Sequence, residues 1–364
     1  MMNSVMNIFV TILEFILALG FLAFLHELGH FLVARLFKIE IEEFGFGFPP
    51  RLVRLFRLGG TDFTLNWIPF GAFVRPKGEN DPNVAGGMAA AKPGARLAVL
   101  FGGPVMNLLA GIIIFSLVFV RAGVPDQRVV LIREVTKDTP AAQAGILPGD
   151  VVISVNGNQI DSIDKLKSII TANQGSEVTI ALKRSGNTVV IKTTPRKNPP
   201  QGQGSLGVGL ENPTIPMSWF QAVPYAAKIT GDQALQLLLL PGRLIQGQIS
   251  PDQARVVGPK GMYDIFSQAR TMDAQSEATP NPQSPPVNVL ALLGTISIAL
   301  GLTNLLPFPA LDGGRILFVL PEILFKRRVP AEFENMVHLI GFAALLVLLV
   351  VITTQDIIHP IVIH

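Results

Sequence analysis

The segment His26-Glu27-Leu28-Gly29-His30 joins residue types and spacing that can do chemistry. On a helix, positions i and i+4 lie on one face about a turn apart, so both imidazoles can hold one Zn²⁺. Glu27 projects to the side, where it can take a proton from a water activated by the metal. A buried pair of hydrogen-bonded histidines would show the same short pattern. Zinc asks for a third protein ligand and an open position. The chain has no cysteine, so that ligand must be a histidine or a carboxylate. The remaining histidines, His338, His359 and His364, fall in stretches with no matching pattern. The candidate is Asp312, within Asn304-Leu305-Leu306-Pro307-Phe308-Pro309-Ala310-Leu311-Asp312-Gly313-Gly314-Arg315. Its two prolines unwind the end of an apolar run, and Leu-Asp-Gly can turn the carboxylate back toward the histidines. Asn304 suits either of two tasks: donating to a substrate carbonyl or oxyanion, or bonding between helices.

These residues must be positioned by elements that lie in lipid. Of 364 residues, 49% are hydrophobic and 15% charged, against about 25% charged in a typical soluble chain. A net charge of +3 without a long Lys/Arg block gives no nucleic-acid footprint. Four stretches approach the ~20 apolar residues that a bilayer requires: 15–34, 97–120, 289–309 and 337–352. The first reads as a retained span, because residues 1–13 carry no Lys or Arg and no small-residue cleavage site closes the run. Ionisable groups are expensive in hydrocarbon, so His26, Glu27 and His30 in the first span mark a functional site. Glu14, Arg121 and His338 carry no motif and read as interfacial or packing residues.

Basic residues crowd the loop after the first span (Arg35, Lys38, Arg51, Arg54, Arg57, Arg75, Lys77, Lys92, Arg96) and the connection after the third (Arg315, Lys326, Arg327, Arg328). Both are therefore expected on the cytoplasmic side, with the two termini and the segment from about 122 to 288 outside. In that segment, strand-like runs at 129–132, 151–155, 178–182 and 188–191 alternate with helical patterns at 141–144 and 162–171. A Pro/Gly linker follows at 195–204, then an amphipathic helix over 218–247, soluble or interfacial, then a polar, flexible connection over 271–286. In the basic loop, aromatic strand-like runs at 44–50 and 63–74 suggest a hairpin that dips into the membrane, shields the site or packs on a surface.

Taken together, His26-Glu27-Leu28-Gly29-His30, Asn304-x-x-Pro307-x-Pro309-x-Leu311-Asp312-Gly313, Gly45-Phe46-Gly47 and Gly102-Gly103-Pro104-x-x-Asn107 resemble the site-2 protease family of intramembrane zinc metalloproteases, in its bacterial RseP-like branch. Residues 140–157 resemble a PDZ domain, and Val257-Gly258-Pro259-x-Gly261 resembles the family's segment before the third span. The resemblance implies a polytopic α-helical membrane protein of about four transmembrane helices, with a membrane-associated β-hairpin and one inserted extracytoplasmic PDZ-like α+β domain. Its parts are expected at 1–36 (first helix, with the histidines), 37–93 (cytoplasmic-side loop with a re-entrant hairpin), 94–121 (second helix), 128–195 (PDZ-like domain), 196–287 (linker and amphipathic helical region), 288–315 (third helix, with Leu-Asp-Gly) and 334–354 (fourth helix).

The same resemblance implies Zn²⁺ held by His26, His30 and Asp312, Glu27 as catalytic base, and Asn304 and Pro307 holding substrate, with an unwound substrate strand laid along the hairpin edge. It implies a bacterial plasma (inner) membrane location with the active site toward the cytoplasm. The implied partners are single-pass membrane proteins, such as anti-sigma factors or signal-peptide remnants, an upstream site-1 protease and the lipid bilayer. One PDZ-like unit stands where well-known members carry two; it can grip a peptide strand or merely block access. Three other readings compete. A silent scaffold displaying the PDZ-like unit has no use for an intact Glu27. A proton or ion pathway leaves Asp312 unexplained. An anchored soluble-type metalloprotease would hold its histidines outside the span.

Overall fold

The computed structural model describes residues 2–200, 202–248, 255–278 and 285–360. In chain order, helix α1 (Met2–Leu36) leads into strands β1 (Ile41–Leu58) and β2 (Thr61–Pro76) and then α2 (Pro93–Ala122). Next come β3 (Val124–Pro125), β4 (Val130–Val135), α3 (Pro140–Gln143), β5 (Val151–Val155), β6 (Asn158–Gln159), α4 (Ile163–Ala172), β7 (Val178–Arg184), β8 (Asn187–Thr193), β9 (Val208–Glu211) and β10 (Thr214–Ile215). The chain closes with α5 (Trp219–Ile245), α6 (Pro259–Ala278), α7 (Asn288–Asn304), α8 (Asp312–Phe325) and α9 (Ala331–Ile358). Two compact units result, one holding β3 to β10 with α3 and α4 within Phe119–Ser218, the other the remaining helices and the β1–β2 pair.

In the helical unit, three helices among the described residues are long and apolar enough to cross a membrane: Met6–Leu36, Pro93–Ala122 and Ala331–Ile358. The expected third span is shorter. Helix α7 is apolar but has only 17 residues, ~26 Å at about 1.5 Å per residue. It stops at Asn304, and Asp312 does not end that span but opens the separate helix α8. The stretch between Arg315 and Lys326, expected as part of a connection, is instead helical despite Pro321 within it. Helix α6 runs to Ala278, so the first part of the stretch expected to be a flexible connection is helical; residues 279–284 lie outside the described residues. Glu14 of α1 pairs with Arg270 of α6 at 2.5 Å.

Helices α1 and α2 touch backbone to backbone. A Cβ on Gly102 would lie 2.7 Å from the Gly29 carbonyl oxygen, and one on Gly29 would strike the Gly102 carbonyl. Small residues permit this approach between apolar helices, where close packing rather than water exclusion drives association. Helix α2 meets α7 with glycines seated under side chains, Gly111 against Ile298 and Gly294 against Phe115.

The β1–β2 pair is more than a hairpin. The register places 41–46 against 72–76 and 43–46 also against 62–65, while 51–58 pairs with the outer side of 61–66. Each strand therefore bends midway and the pair makes four segments, with 51–58 and 72–76 at the edges; the two edge pairings are antiparallel, whereas 43–46 runs in the same direction as 62–65. The sheet lies on α1 through aromatic rings. Phe44, fully buried, meets Phe24 and Phe31 with ring centroids 5.6 Å apart in both cases. Residues 24, 27 and 31 share a helix face, so this packing brings Glu27 to the sheet.

In the other unit, β8-β7-β5-β4-β9 form one sheet, with β6 paired to β5. The core joins Val130, Ile132, Val155, Val178, Ile180 and Leu182 with Leu166 and Ile170 of α4. Strand β9 pairs with β4, which carries the sheet past residue 195, where the PDZ-like domain is expected to end. Only four residues long and following a Pro/Gly linker, β9 shows no alternation that would reveal it.

Buried Asp150 receives two hydrogen bonds from Arg184, at 2.7 and 2.6 Å. The Arg184 guanidinium holds the Asp150 carboxyl below the usual carboxylate range. A depressed carboxylate stabilises the fold above its unfolded pKa of ~3.9, and that stabilisation fades as pH falls through the lower folded value. Amide exchange of β5 and β7 in the full chain should therefore show less protection on acidification below pH ~4, beyond the intrinsic change in exchange rate. Asp150→Asn should weaken protection at pH 7 by about 1–3 kcal/mol and flatten the dependence. An unchanged pH profile would refute the assignment.

Candidate active site

Helix α1 presents His26 and His30 on one face and Glu27 on the next. The two Nε2 atoms lie 3.1 Å apart, and Asp312 Oδ2 is 3.1 Å from the first and 3.3 Å from the second. Among the described residues, these three form the one cluster whose donor atoms could share a metal. Tetrahedral zinc with bonds of ~2.0–2.1 Å separates its ligand atoms by about 3.3–3.4 Å. The triangle of two imidazole nitrogens and a carboxylate oxygen therefore fits one face of such a site, and the donor set suits zinc.

Each ligand is held from behind. His30 Nδ1 lies 2.7 Å from the Val99 carbonyl oxygen of α2, so Nδ1 carries the proton and Nε2 keeps its lone pair for the metal. His26 Nδ1 is 3.2 Å from the carboxamide of Asn107, through Nδ2, and Asn107 Oδ1 is buried without a partner. A half-turn of that carboxamide brings Oδ1 to the same place, where it accepts Nδ1–H of a ligating imidazole. Asp312 sits in the first turn of α8, where the helix dipole favours negative charge. Behind it the loop folds so tightly that a Cβ on Gly313 or Gly314 would overlap the Leu305 and Phe308 carbonyls.

Gly103 makes room for the ligands. A Cβ there would sit 2.7 Å from His26 Nε2 and nearer still to His30 Nε2. Gly103→Ala is expected to lower zinc affinity by ~10–100-fold. Metal content after dialysis against graded chelator checks this, and parent-like retention would contradict it.

Glu27 Oε2 accepts a hydrogen bond from Val74 N–H at 3.0 Å. The edge segment 72–76 thus contacts the carboxylate directly. Glu27, both histidines and Asp312 line one cavity of about 430 Å³, with Ala72, Phe73 and Val74 on its wall. Asn304 also lines it, while its Nδ2 donates to the Leu300 carbonyl at 3.0 Å. Pro307 is exposed and is not among the lining residues. Glu79 and Arg315, an ion pair, complete the polar side. Asn107, Val99 and Val74 have no role assigned from sequence. Asn107 had one available signal, a carboxamide in the middle of an apolar span; the other two act through backbone atoms, which carry no signature.

Residues 14–348 match peptidase family M50. A Clostridium perfringens chain named as a zinc metalloprotease is 31% identical over 95% of this chain and 98% of its own length. The regulator of sigma-W protease RasP from Bacillus subtilis is 28% identical over 95% of this chain and 98% of its own. A zinc metalloprotease RasP from Oceanobacillus iheyensis is 27% identical over the same shares. Among solved structures, a PDZ domain of a Listeria monocytogenes SdrC-like protein covers 22% of this chain and 85% of its own, at 23% identity and a TM-score of 0.21, too low to carry an argument.

Proposed function

We propose that this chain, which belongs to peptidase family M50 as a site-2 type zinc metalloprotease of the RseP-like branch, cuts peptide bonds within or beside the transmembrane segment of single-pass membrane proteins. The observation that carries the reading is the convergence of His26, His30 and Asp312 beside Glu27, in a cavity among helices long and apolar enough for lipid. Asp312 arrives from a chain segment 282 residues beyond His30, which a pair of packing histidines would not require.

His26, His30 and Asp312 would hold the zinc. When bound, zinc polarises the scissile carbonyl and lowers the pKa of water to about 7. Glu27 takes the proton of the attacking water and delivers it to the leaving amine as the C–N bond breaks. Asn304 lies on the cavity wall, where a turn of its carboxamide would let it donate to the developing oxyanion; Pro307 would contribute further out along the substrate. A helix conceals its peptide bonds, so the substrate must unwind. The edge segment 72–76 offers a backbone to pair with the unwound strand, within reach of Glu27.

One relative is named a regulator of sigma-W protease; together with the family resemblance, that name favours substrates of the anti-sigma-factor kind, trimmed first by another protease. The basic loops favour a plasma-membrane orientation with the catalytic end toward the cytoplasm and the PDZ-like unit outside. In lipid vesicles holding the purified chain and a single-span substrate, a chelator should stop cleavage and added Zn²⁺ restore it. Cleavage that survives complete zinc removal would refute the proposal.

A further inference from the structure

We propose that His338, on α9, is a positioning residue for the third metal ligand, acting through the backbone of Ala310. The inference rests on the reading of Asp312 as that ligand. Ala310 stands two residues before Asp312 with φ +75, a left-handed conformation disfavoured for any residue with a side chain. Such strain persists only where surrounding groups hold it. One holder is visible: Ala310 N–H donates to His338 Nδ1 at 2.8 Å.

The rest of the histidine's surroundings fits this task. Because Nδ1 accepts, the ring's proton sits on Nε2. That atom is buried without a hydrogen-bond partner, and Glu334 Oε1 stands 3.9 Å away, outside bonding distance. The ring's short hydrogen bond runs through Nδ1 to the Ala310 backbone of the loop. The ring is fixed in place by Phe318 of α8, with centroids 5.4 Å apart. Three residues on, Gly341 lies on the same face of α9. A Cβ there would meet the Pro309 carbonyl oxygen at 2.8 Å and its carbon at 2.9 Å.

Helix α9 is otherwise thinly attached. Gly341 and Asp356 are its buried residues, and Asp356, near the far end, receives Gly258 and Gly261 N–H at 2.9 Å each. At the Gly341 end, what α9 grips is the Pro309–Ala310 turn. The helix thus braces the turn that brings Asp312 within 3.1 and 3.3 Å of the two histidine nitrogens. A displacement of that turn would open the ligand triangle without touching any ligand.

Two substitutions separate bonding from bulk. His338→Asn can keep an acceptor near the position of Nδ1, whereas His338→Leu keeps apolar volume and loses the acceptor. Zinc affinity is measured on the purified full chain by competition with a chelator, alongside cleavage of a single-span substrate. Leu should weaken zinc binding by ~10–100-fold, the range for groups that orient ligands, and Asn should restore most of it. Parent-like zinc affinity in the Leu variant would overturn the proposal, as would equal losses in Leu and Asn. If the Leu variant does not yield a monodisperse protein, Gly341→Ala carries the test, because its methyl pushes on Pro309: weakened zinc binding supports the brace and parent-like binding overturns it. Failure of the underlying reading looks different, since Asp312→Ala would then keep its zinc.

Discussion

Glu27→Gln should abolish most peptide cleavage, by ~10²–10⁴-fold, while the chain keeps its zinc. The substitution is nearly isosteric, and the glutamine oxygen can still accept the Val74 N–H that now reaches Glu27 Oε2 at 3.0 Å. Neither His26, His30 nor Asp312 depends on the Glu27 carboxylate for its donor position, because their contacts run to each other, to Val99 and to Asn107. What is lost is basicity: a carboxamide cannot take the proton from water or pass it to the leaving amine. Zinc content by elemental analysis and turnover of a single-span substrate check the two halves separately. Loss of zinc would mean that Glu27 is structural, and undiminished turnover would mean that it is not the base.

Asp312→Ala should do the reverse at the first step and match it at the second. Removing one of three protein ligands should lower zinc affinity by more than the ~100-fold upper end expected for orienting groups, with cleavage lost in parallel. The two histidine nitrogens, 3.1 Å apart on one helix, then retain only a bidentate site. The elements around Asp312 keep their own contacts, among them Arg96 to Glu322 at 2.6 Å, so the chain should still purify as a folded membrane protein. The same zinc titration checks it. Parent-like affinity would remove Asp312 from the ligand set. Between them the variants separate holding the metal from using it.

The parts of this site that were legible in the sequence are those whose cost is high if they do nothing. Two histidines and a glutamate in an apolar run, and an aspartate after paired prolines, would burden a membrane span without return. The apolar spans were legible for the same reason, through long uninterrupted hydropathy. What stayed hidden depends on atoms that carry no side-chain signature, or on short segments. The Val99 carbonyl and the Val74 N–H are backbone groups. Strand β9 is too short for its alternation to register. Helix α8 was obscured by Pro321 inside an apolar stretch. His338, read as a packing residue, acquires its meaning only when Ala310 is seen to turn left-handed against it. The folding of β1 and β2 into four segments follows from bends that the aromatic pattern alone does not locate.

The central claim is that a peptide bond is cut inside a transmembrane segment by zinc and Glu27. Its most direct test is the mass of the products formed when the purified chain meets a single-span substrate in lipid vesicles. The account predicts cleavage at bonds within the apolar segment or at its edge, dependent on zinc and absent with Glu27→Gln. Products cut only in the water-exposed flanks, or the same products from the Glu27→Gln chain, would contradict it.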